Sequence, residues 1–189
     1  MSFIKASGLG PLTASNTATI VDPATPASGS ATLGPLVSFA SVASTSGTSI
    51  DFIGIPSWAK RITVLFNTLS TNGSSPVIIQ LGSGSIDTSS YVSSGTFYNG
   101  STGGAQTATT GLLVANNGGA SDVFSGVATI YTLGGNIWVL SSSLARHGSG
   151  GQIANCGTKT LSGVLDRIRI TMVNGTDAFD SGSVNVTYE

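Results

Sequence analysis

The chain has 189 residues, of which 40% are hydrophobic and only 8% are charged, and its formal net charge is −1. An average domain has about 25% charged residues, so the polar surface here must consist mainly of Ser, Thr, Asn and Gly. Nucleic-acid binding is disfavoured because it needs clustered Lys and Arg, and the densest basic segment, residues 166–169 (DRIR), contains its own carboxylate. We therefore expect no nucleic-acid partner.

The N-terminal residues and the single cysteine favour a protein made in the cytoplasm. Residues 1–5 lack the apolar stretch of a signal peptide, and no segment reaches the ~20 apolar residues of a membrane span. We expect no membrane association. Cys156 is the one cysteine, so no intrachain disulfide can form, and we expect it to be a small, partly buried residue.

Residues 1–36 differ in composition from the rest of the chain. They contain four of the six prolines, and proline cannot donate a backbone hydrogen bond to a central strand. The large apolar residues are too sparse to form a core. We predict an extended N-terminal arm that contacts a partner, with a mobile, unpartnered arm as the alternative.

Residues 37–189 are dense in strand signals. The pattern predicts strands at 49–55, 61–66, 77–81, 96–98, 111–114, 127–131, 137–140, 167–172 and 183–188. Ile168, Ile170 and Met172 form the expected inward set of one strand, with Arg167, Arg169 and Thr171 facing solvent. In the last strand we expect Val184 and Val186 to face the core.

Glycine-rich turns set the expected architecture. Residues 134–136 (GGN) separate two β runs, which is a hairpin signal. Roughly nine or ten short strands, with turns every 8 to 12 residues, are typical of a sandwich. We predict an all-β fold, namely an antiparallel, jelly-roll-like β-sandwich over residues 37–189.

Residues 82–123 are the least regular part. Three stretches rich in Gly, Ser, Thr and Asn, at 83–90, 99–110 and 116–122, are predicted to be long loops, where binding usually resides. Tyr91, Phe97 and Tyr98 lie in this region, and one of them stacking on a sugar is an alternative to a structural role. Trp58 is predicted to cap the core and Trp138 to pack between the sheets.

No residue pattern predicts catalysis, a cofactor or a metal. His147 is the only histidine, and residues 82–85 (GSGS) lack the helix that would expose a nucleophilic serine. Asp177 and Asp180 are the closest acidic pair, and we interpret them as turn residues that bind backbone amides. A glycosidase pair or a calcium site at these two residues are the alternatives.

Several stretches together resemble a module common in tail-fibre and other virion proteins of tailed bacteriophages. They are residues 48–64 (TSIDFIGIPSWAKRITV), 70–75 (STNGSS), 159–162 (KTLS), 165–171 (LDRIRIT), 175–186 (GTDAFDSGSVNV) and the terminal Tyr188-Glu189. The resemblance covers about residues 37–189. It implies a β-sandwich knob displayed on a phage particle as a homotrimer, and it brings no active site.

The resemblance also implies partners and a location. We expect assembly in the host cytoplasm, a final position on the virion surface, and attachment to capsid or tail proteins through residues 1–36. Because such modules usually follow a long shaft, the short preceding segment favours a head decoration or short head fibre. The alternatives are a tail-associated fibre that binds a host receptor, and a carbohydrate-binding module that recognises a host surface glycan through the 82–123 loops.

Overall fold

The computed structural model describes residues 18–20, 31–33, 35–100, 102–116, 119–148 and 150–189. It divides into two compact units, Met1–Leu36 and Val37–Glu189. In the first unit, strands β1 (Ala18–Ile20) and β2 (Ala31–Leu33) pair in antiparallel fashion. Most of the predicted arm, and with it the predicted anchoring role, lies outside the described residues.

The second unit is built from strands alone in its described part. In chain order these are β3 (Val37–Ser38), β4 (Val42–Ala43), β5 (Ser49–Ile53), β6 (Arg61–Thr71), β7 (Val77–Ser83), β8 (Ser85–Ile86), β9 (Val92–Tyr98), β10 (Gly103–Ala108), β11 (Leu112–Ala115), β12 (Val123–Gly134), β13 (Ile137–His147), β14 (Gly151–Thr160), β15 (Arg167–Met172) and β16 (Phe179–Tyr188). Abundant Val, Ile and Thr favour this extended backbone, and glycine-rich turns end the strands.

The strands form two antiparallel sheets. The nine-stranded sheet has the order β10-β9-β14-β13-β12-β6-β16-β3, with β4 also paired to β16. The five-stranded sheet has the order β11-β7-β15-β5, with β8 paired to β7. The chain changes sheet repeatedly, for example from β5 to β6, β6 to β7 and β15 to β16, as jelly-roll sandwiches do. The predicted all-β, antiparallel β-sandwich is confirmed.

The core lies between the inner faces of the two sheets. Ile168, Ile170 and Met172 from β15 are buried, as are Val184 and Val186 from β16, so the predicted inward sets are confirmed. Thr171 was wrongly predicted to face solvent, because it is buried and its hydroxyl donates to the carbonyl of Thr48 at 2.7 Å. A hydroxyl satisfied by a backbone carbonyl can be buried at little cost.

Two parts of the second unit are more regular than the sequence indicates. Residues 99–110 were predicted to be a loop, yet Gly103–Ala108 pairs with β9 as a hairpin. The ring of Phe97 lies where a Cβ at Gly104 would be, so glycine is required for this packing. Strand β14 was not predicted, because its sequence lacks apolar alternation; pairing with β13 and β9 on its two sides holds it.

The turn between β12 and β13 follows the sequence signal closely. Gly135 and Asn136 both have positive φ, 58° and 63°, as a two-residue hairpin turn of type I′ requires. The pairing runs from Gly134 opposite Ile137 to Val123 opposite His147. This hairpin fixes the register of the two longest neighbouring strands.

Candidate interaction surface

The titratable residues singled out from the sequence lie apart from one another. His147 is exposed at the end of β13, and Cys156 is exposed on β14. The prediction that Cys156 is partly buried is wrong because Ile153 and Asn155 take the inward positions of β14, which turns Cys156 outward. Among the described residues, no group of three or more His, Cys, Asp or Glu side chains could hold a metal ion.

Asp177 and Asp180 have different environments. The Asp177 carboxylate accepts the backbone N–H of Ser75 at 2.9 Å and the side-chain amide of Asn174 at 2.6 Å. These two hydrogen bonds, the Asn174 one first, hold the pKa of Asp177 below its usual value. Asp177 is therefore the predicted turn residue, whereas Asp180 is an exposed residue of β16 and not part of a turn.

The Asp177 turn joins two distant stretches of the chain. Asn72 accepts the backbone N–H of Ala178 at 2.9 Å, and the Ser75 hydroxyl accepts the N–H of Asn174 at 3.0 Å. Segments 72–75 and 174–178 thus form one hydrogen-bonded loop network at an end of the sandwich. Each segment supplies the partners for the other's polar groups.

A buried lysine is the feature that sequence reasoning missed. Lys159 is 3% exposed, and its ammonium lies 2.7 Å from the Asp87 carboxylate and donates to the Ser89 carbonyl at 2.6 Å. The Lys159 hydrogen bond is the main reason why the pKa of Asp87 is lowered. No neighbouring sequence signal marks this lysine, since it stands in a Gly-Thr-Lys-Thr run that is typical of a loop.

Tyr91 completes this cluster. The Lys159 ammonium lies 4.8 Å from the centre of its ring, and its hydroxyl accepts the N–H of Leu81 at 2.7 Å while donating to the Asp87 carbonyl at 2.8 Å. Burial raises the pKa of Tyr91. Every polar group of the cluster has a partner, so its role is to fasten the 83–91 segment to β14.

The other aromatic residues differ in accessibility. Tyr91 is buried and Phe97 packs against the core, so neither offers an open ring face. Tyr98 is 60% exposed, with its hydroxyl donating to the Gly100 carbonyl at 2.6 Å. Trp138 is buried in the core, as predicted. Trp58 is 43% exposed and its ring lies against that of Tyr188, so it covers the edge of the core only in part.

The outer face of the five-stranded sheet is charged and internally paired. The Arg169 guanidinium forms a two-pronged ion pair with Asp51, both distances being 2.7 Å. Arg167 pairs in the same way with Asp166 at 2.8 and 3.0 Å. The Arg167 guanidinium holds the pKa of Asp166 below its usual value. The segment 166–169 thus has its positive charges neutralised by neighbouring carboxylates.

The outer face of the nine-stranded sheet is uncharged over its centre. Strands β6, β12, β13, β14 and β9 place their outward residues opposite one another in rows. The first row consists of Leu65, Val127, Ser143, Ala154 and Thr96, and the second of Thr63, Thr129, Ser141, Cys156 and Ser94. A third row consists of Tyr131, Val139, Thr158 and Val92. We call these three rows the neutral face.

The charged residue nearest to the neutral face, Arg61, lies at its margin. Arg61, next to Tyr131 in the third row, forms an ion pair with Glu189, and its guanidinium lies 6.0 Å from the centre of the Tyr131 ring. Large apolar side chains are exposed on the face and beside it, Val92 at 70% and Leu133 at 73%. The neutral face therefore combines small hydroxyl and methyl groups with protruding apolar residues at its borders.

No helix long and apolar enough to cross a membrane occurs in the part of the chain that the structure describes. Comparisons with models of known protein families, with curated proteins and with solved structures found no match.

Proposed function

We propose that this chain is a structural protein of a tailed-bacteriophage particle, displayed on its surface as a head decoration or short head fibre. The observation that supports this most is the loop network of segments 72–75 and 174–178. Residues 72–75 and 175–178 of this network belong to the stretches that resemble phage virion proteins. Because each satisfies the polar groups of the other, the resemblance follows a unit of structure and not two unrelated short motifs.

The charge distribution is consistent with a display role. On the five-stranded sheet, Arg167 and Arg169 are each ion-paired with an aspartate. Lys159 is buried and ion-paired with Asp87. The proposal accordingly assigns no catalytic, cofactor or metal-binding residue. In it, residues 1–36 bind a capsid or tail protein and residues 37–189 project outward as a homotrimer.

Particle binding tests this proposal. The full chain and a variant that lacks residues 1–36 are added to capsids and to tails purified from the phage that encodes the chain, and bound protein is measured after sedimentation. We expect the full chain to bind and the shortened chain to stay in solution, with a circular dichroism spectrum that is still that of a β protein. Normal binding of the shortened chain would show that the anchor lies elsewhere.

Glycan recognition is the second candidate, and the exposed ring of Tyr98 on β9 favours it. Aromatic rings stack on the apolar face of sugars, and Tyr98 is the accessible one of the three aromatic residues in the 82–123 region. Binding of the shortened chain to a panel of host surface glycans, lost in Tyr98→Ala and kept in Ser94→Ala, would support this function. Binding to particles without glycan binding supports the structural function.

A further inference from the structure

We infer that the neutral face is the surface through which copies of this chain pack against one another, an inference that rests on the proposed homotrimer. In a homotrimer, the residues that lie closest to the threefold axis meet their own copies. A charged face would therefore bring like charges together. The first two rows of the neutral face contain no ionised side chain, and Arg61 at the end of the third row is paired with Glu189, so this repulsion is small.

The side chains of the centre are suited to close contact. Ser141, Cys156 and Ser94 lie side by side in the second row, with Thr63 and Thr129 continuing it. Small side chains on a sheet let a second sheet approach to about 10 Å. A hydroxyl both donates and accepts hydrogen bonds, so the hydroxyls of one copy can pair with those of another without a complementary partner surface.

The apolar residues at the borders add an attractive component. Val92, Tyr131 and Leu133 are exposed by 70%, 46% and 73%. Leu65 and Val127 are directly opposite one another on neighbouring strands and are exposed by 39% each. Covering such residues removes apolar area from water, which stabilises an association by roughly 25 cal/mol per Å² of buried area before the cost of ordering.

The size of the face is close to what an interface needs. Five strands at a spacing of about 4.8 Å, with three rows about 7 Å apart, cover roughly 500 Å² of sheet. A standard interface buries about 800 Å² on each partner. The protruding Tyr98 and Leu133 extend the area beyond the three rows. The opposite outer face, by contrast, has the ion pairs of Arg167 with Asp166 and of Arg169 with Asp51.

A charge placed in the centre of the face tests the inference. We expect the full chain to have the mass of three subunits in light scattering, and Ser141→Arg to reduce it to the mass of one, since a guanidinium without a partner would then be buried in the contact. Ser49→Arg is the matched control, since Ser49 is also an exposed serine and lies on β5 of the other sheet, and this variant should keep the mass of three. Circular dichroism and the melting temperature verify that each variant is folded, and Ala154→Arg provides a second substitution in the face.

The native cysteine provides an independent readout without any substitution. Cys156 is the only cysteine and lies in the second row between Ser141 and Ser94. In the assembled form we expect alkylation by a maleimide to be at least ~10-fold slower than after dilution to single subunits, because a covered thiol is inert. The melting temperature and the mass are recorded at both concentrations.

The outcomes separate this inference from the proposed function. A mass of three subunits in Ser141→Arg and Ala154→Arg, with rapid alkylation of Cys156, would overturn the neutral face as the interface while leaving the trimer and the virion role intact. Protection of Cys156 only on capsids or tails would assign the face to a virion protein and overturn the inference. A single-subunit mass for the unaltered chain would overturn both the inference and the proposed trimer, whereas particle binding would still test the virion role.

Discussion

The two outer faces of the sandwich use the same fold for opposite surface chemistry. On the five-stranded sheet, Arg167 and Arg169 each form a two-pronged ion pair with a carboxylate. On the nine-stranded sheet, the central rows carry hydroxyl and methyl groups, with Arg61 only at the margin. The nine-stranded sheet has charged residues too, but Arg146, Lys159 and Asp180 lie outside its three central rows and Arg61 stands at their margin, so the centre is uncharged. A low overall charge thus does not mean that both faces are alike.

The largest effect is expected where the two sheets share the core. Ile170 is fully buried between them, on the strand that carries Arg167 and Arg169 on its outer side. Changing Ile170→Ala should lower the free energy of unfolding by about 2–5 kcal/mol, as large-to-small core substitutions do. Chemical denaturation measures this loss. A change near zero would show that the strand is turned over, with Arg167 and Arg169 facing inward.

A smaller loss is expected at Lys159, the buried lysine on β14 of the nine-stranded sheet. Changing Lys159→Met keeps the length of the side chain but removes the ion pair with Asp87 and the hydrogen bond to the Ser89 carbonyl. We expect a loss of about 1–3 kcal/mol, because the hydrogen bonds that the buried ammonium donates to Asp87 and Ser89 are removed. Urea unfolding gives the value, and Lys60→Met, at an exposed position, is the control. Equal stability of Lys159→Met and the unaltered chain would contradict a role in fastening the 83–91 segment.

The smallest effect is a pH dependence on the charged face. The pKa of Asp166 is lowered from 3.8 in the folded chain, so its contribution to stability is present above pH 3.8 and is lost as the pH falls through the lower, folded value. Its side chain is 39% exposed, and solvent screening limits the contribution to at most about 1 kcal/mol. Asp166→Asn should therefore lose less stability between pH 5 and pH 3 than the unaltered chain, whereas Ser141→Ala, on the neutral face, should follow the unaltered chain. Melting temperatures across this range provide the test, and identical acid profiles for all three proteins would contradict it.

Much of the fold follows from local sequence pattern, because alternation reports which side of a strand is buried. Ile168 and Ile170 on β15, and Val184 and Val186 on β16, were predicted in this way. Strand β14 departs from this alternation, because polar residues such as Asn155 face the core and Cys156 faces outward. Its inward Asn155 donates to the Val114 carbonyl at 2.9 Å and the Ser142 hydroxyl at 3.1 Å. A buried polar residue whose amide group donates to distant partners has no local signature, so the strand and the outward position of Cys156 were missed.

The neutral face depends on information that a single strand does not contain. Ser94, Ser141 and Cys156 are separated along the chain and become neighbours only through the order β9-β14-β13. The composition indicated an uncharged surface of Ser and Thr, but it gave no indication of where this surface would lie. Likewise, Lys159 and Asp87 meet through tertiary structure, which no pattern within either segment encodes.

One border of the nine-stranded sheet has a consequence for aggregation. Strand β16 is covered there by two separate two-residue strands, β3 and β4, and the Ser44 hydroxyl donates to the Ser181 carbonyl at 2.8 Å. Long, unbroken edge strands are templates for the end-to-end growth of amyloid-like fibres, and very short edge strands prevent it. At this border, the sheet can therefore be kept at high local density without recruiting strands from neighbouring molecules.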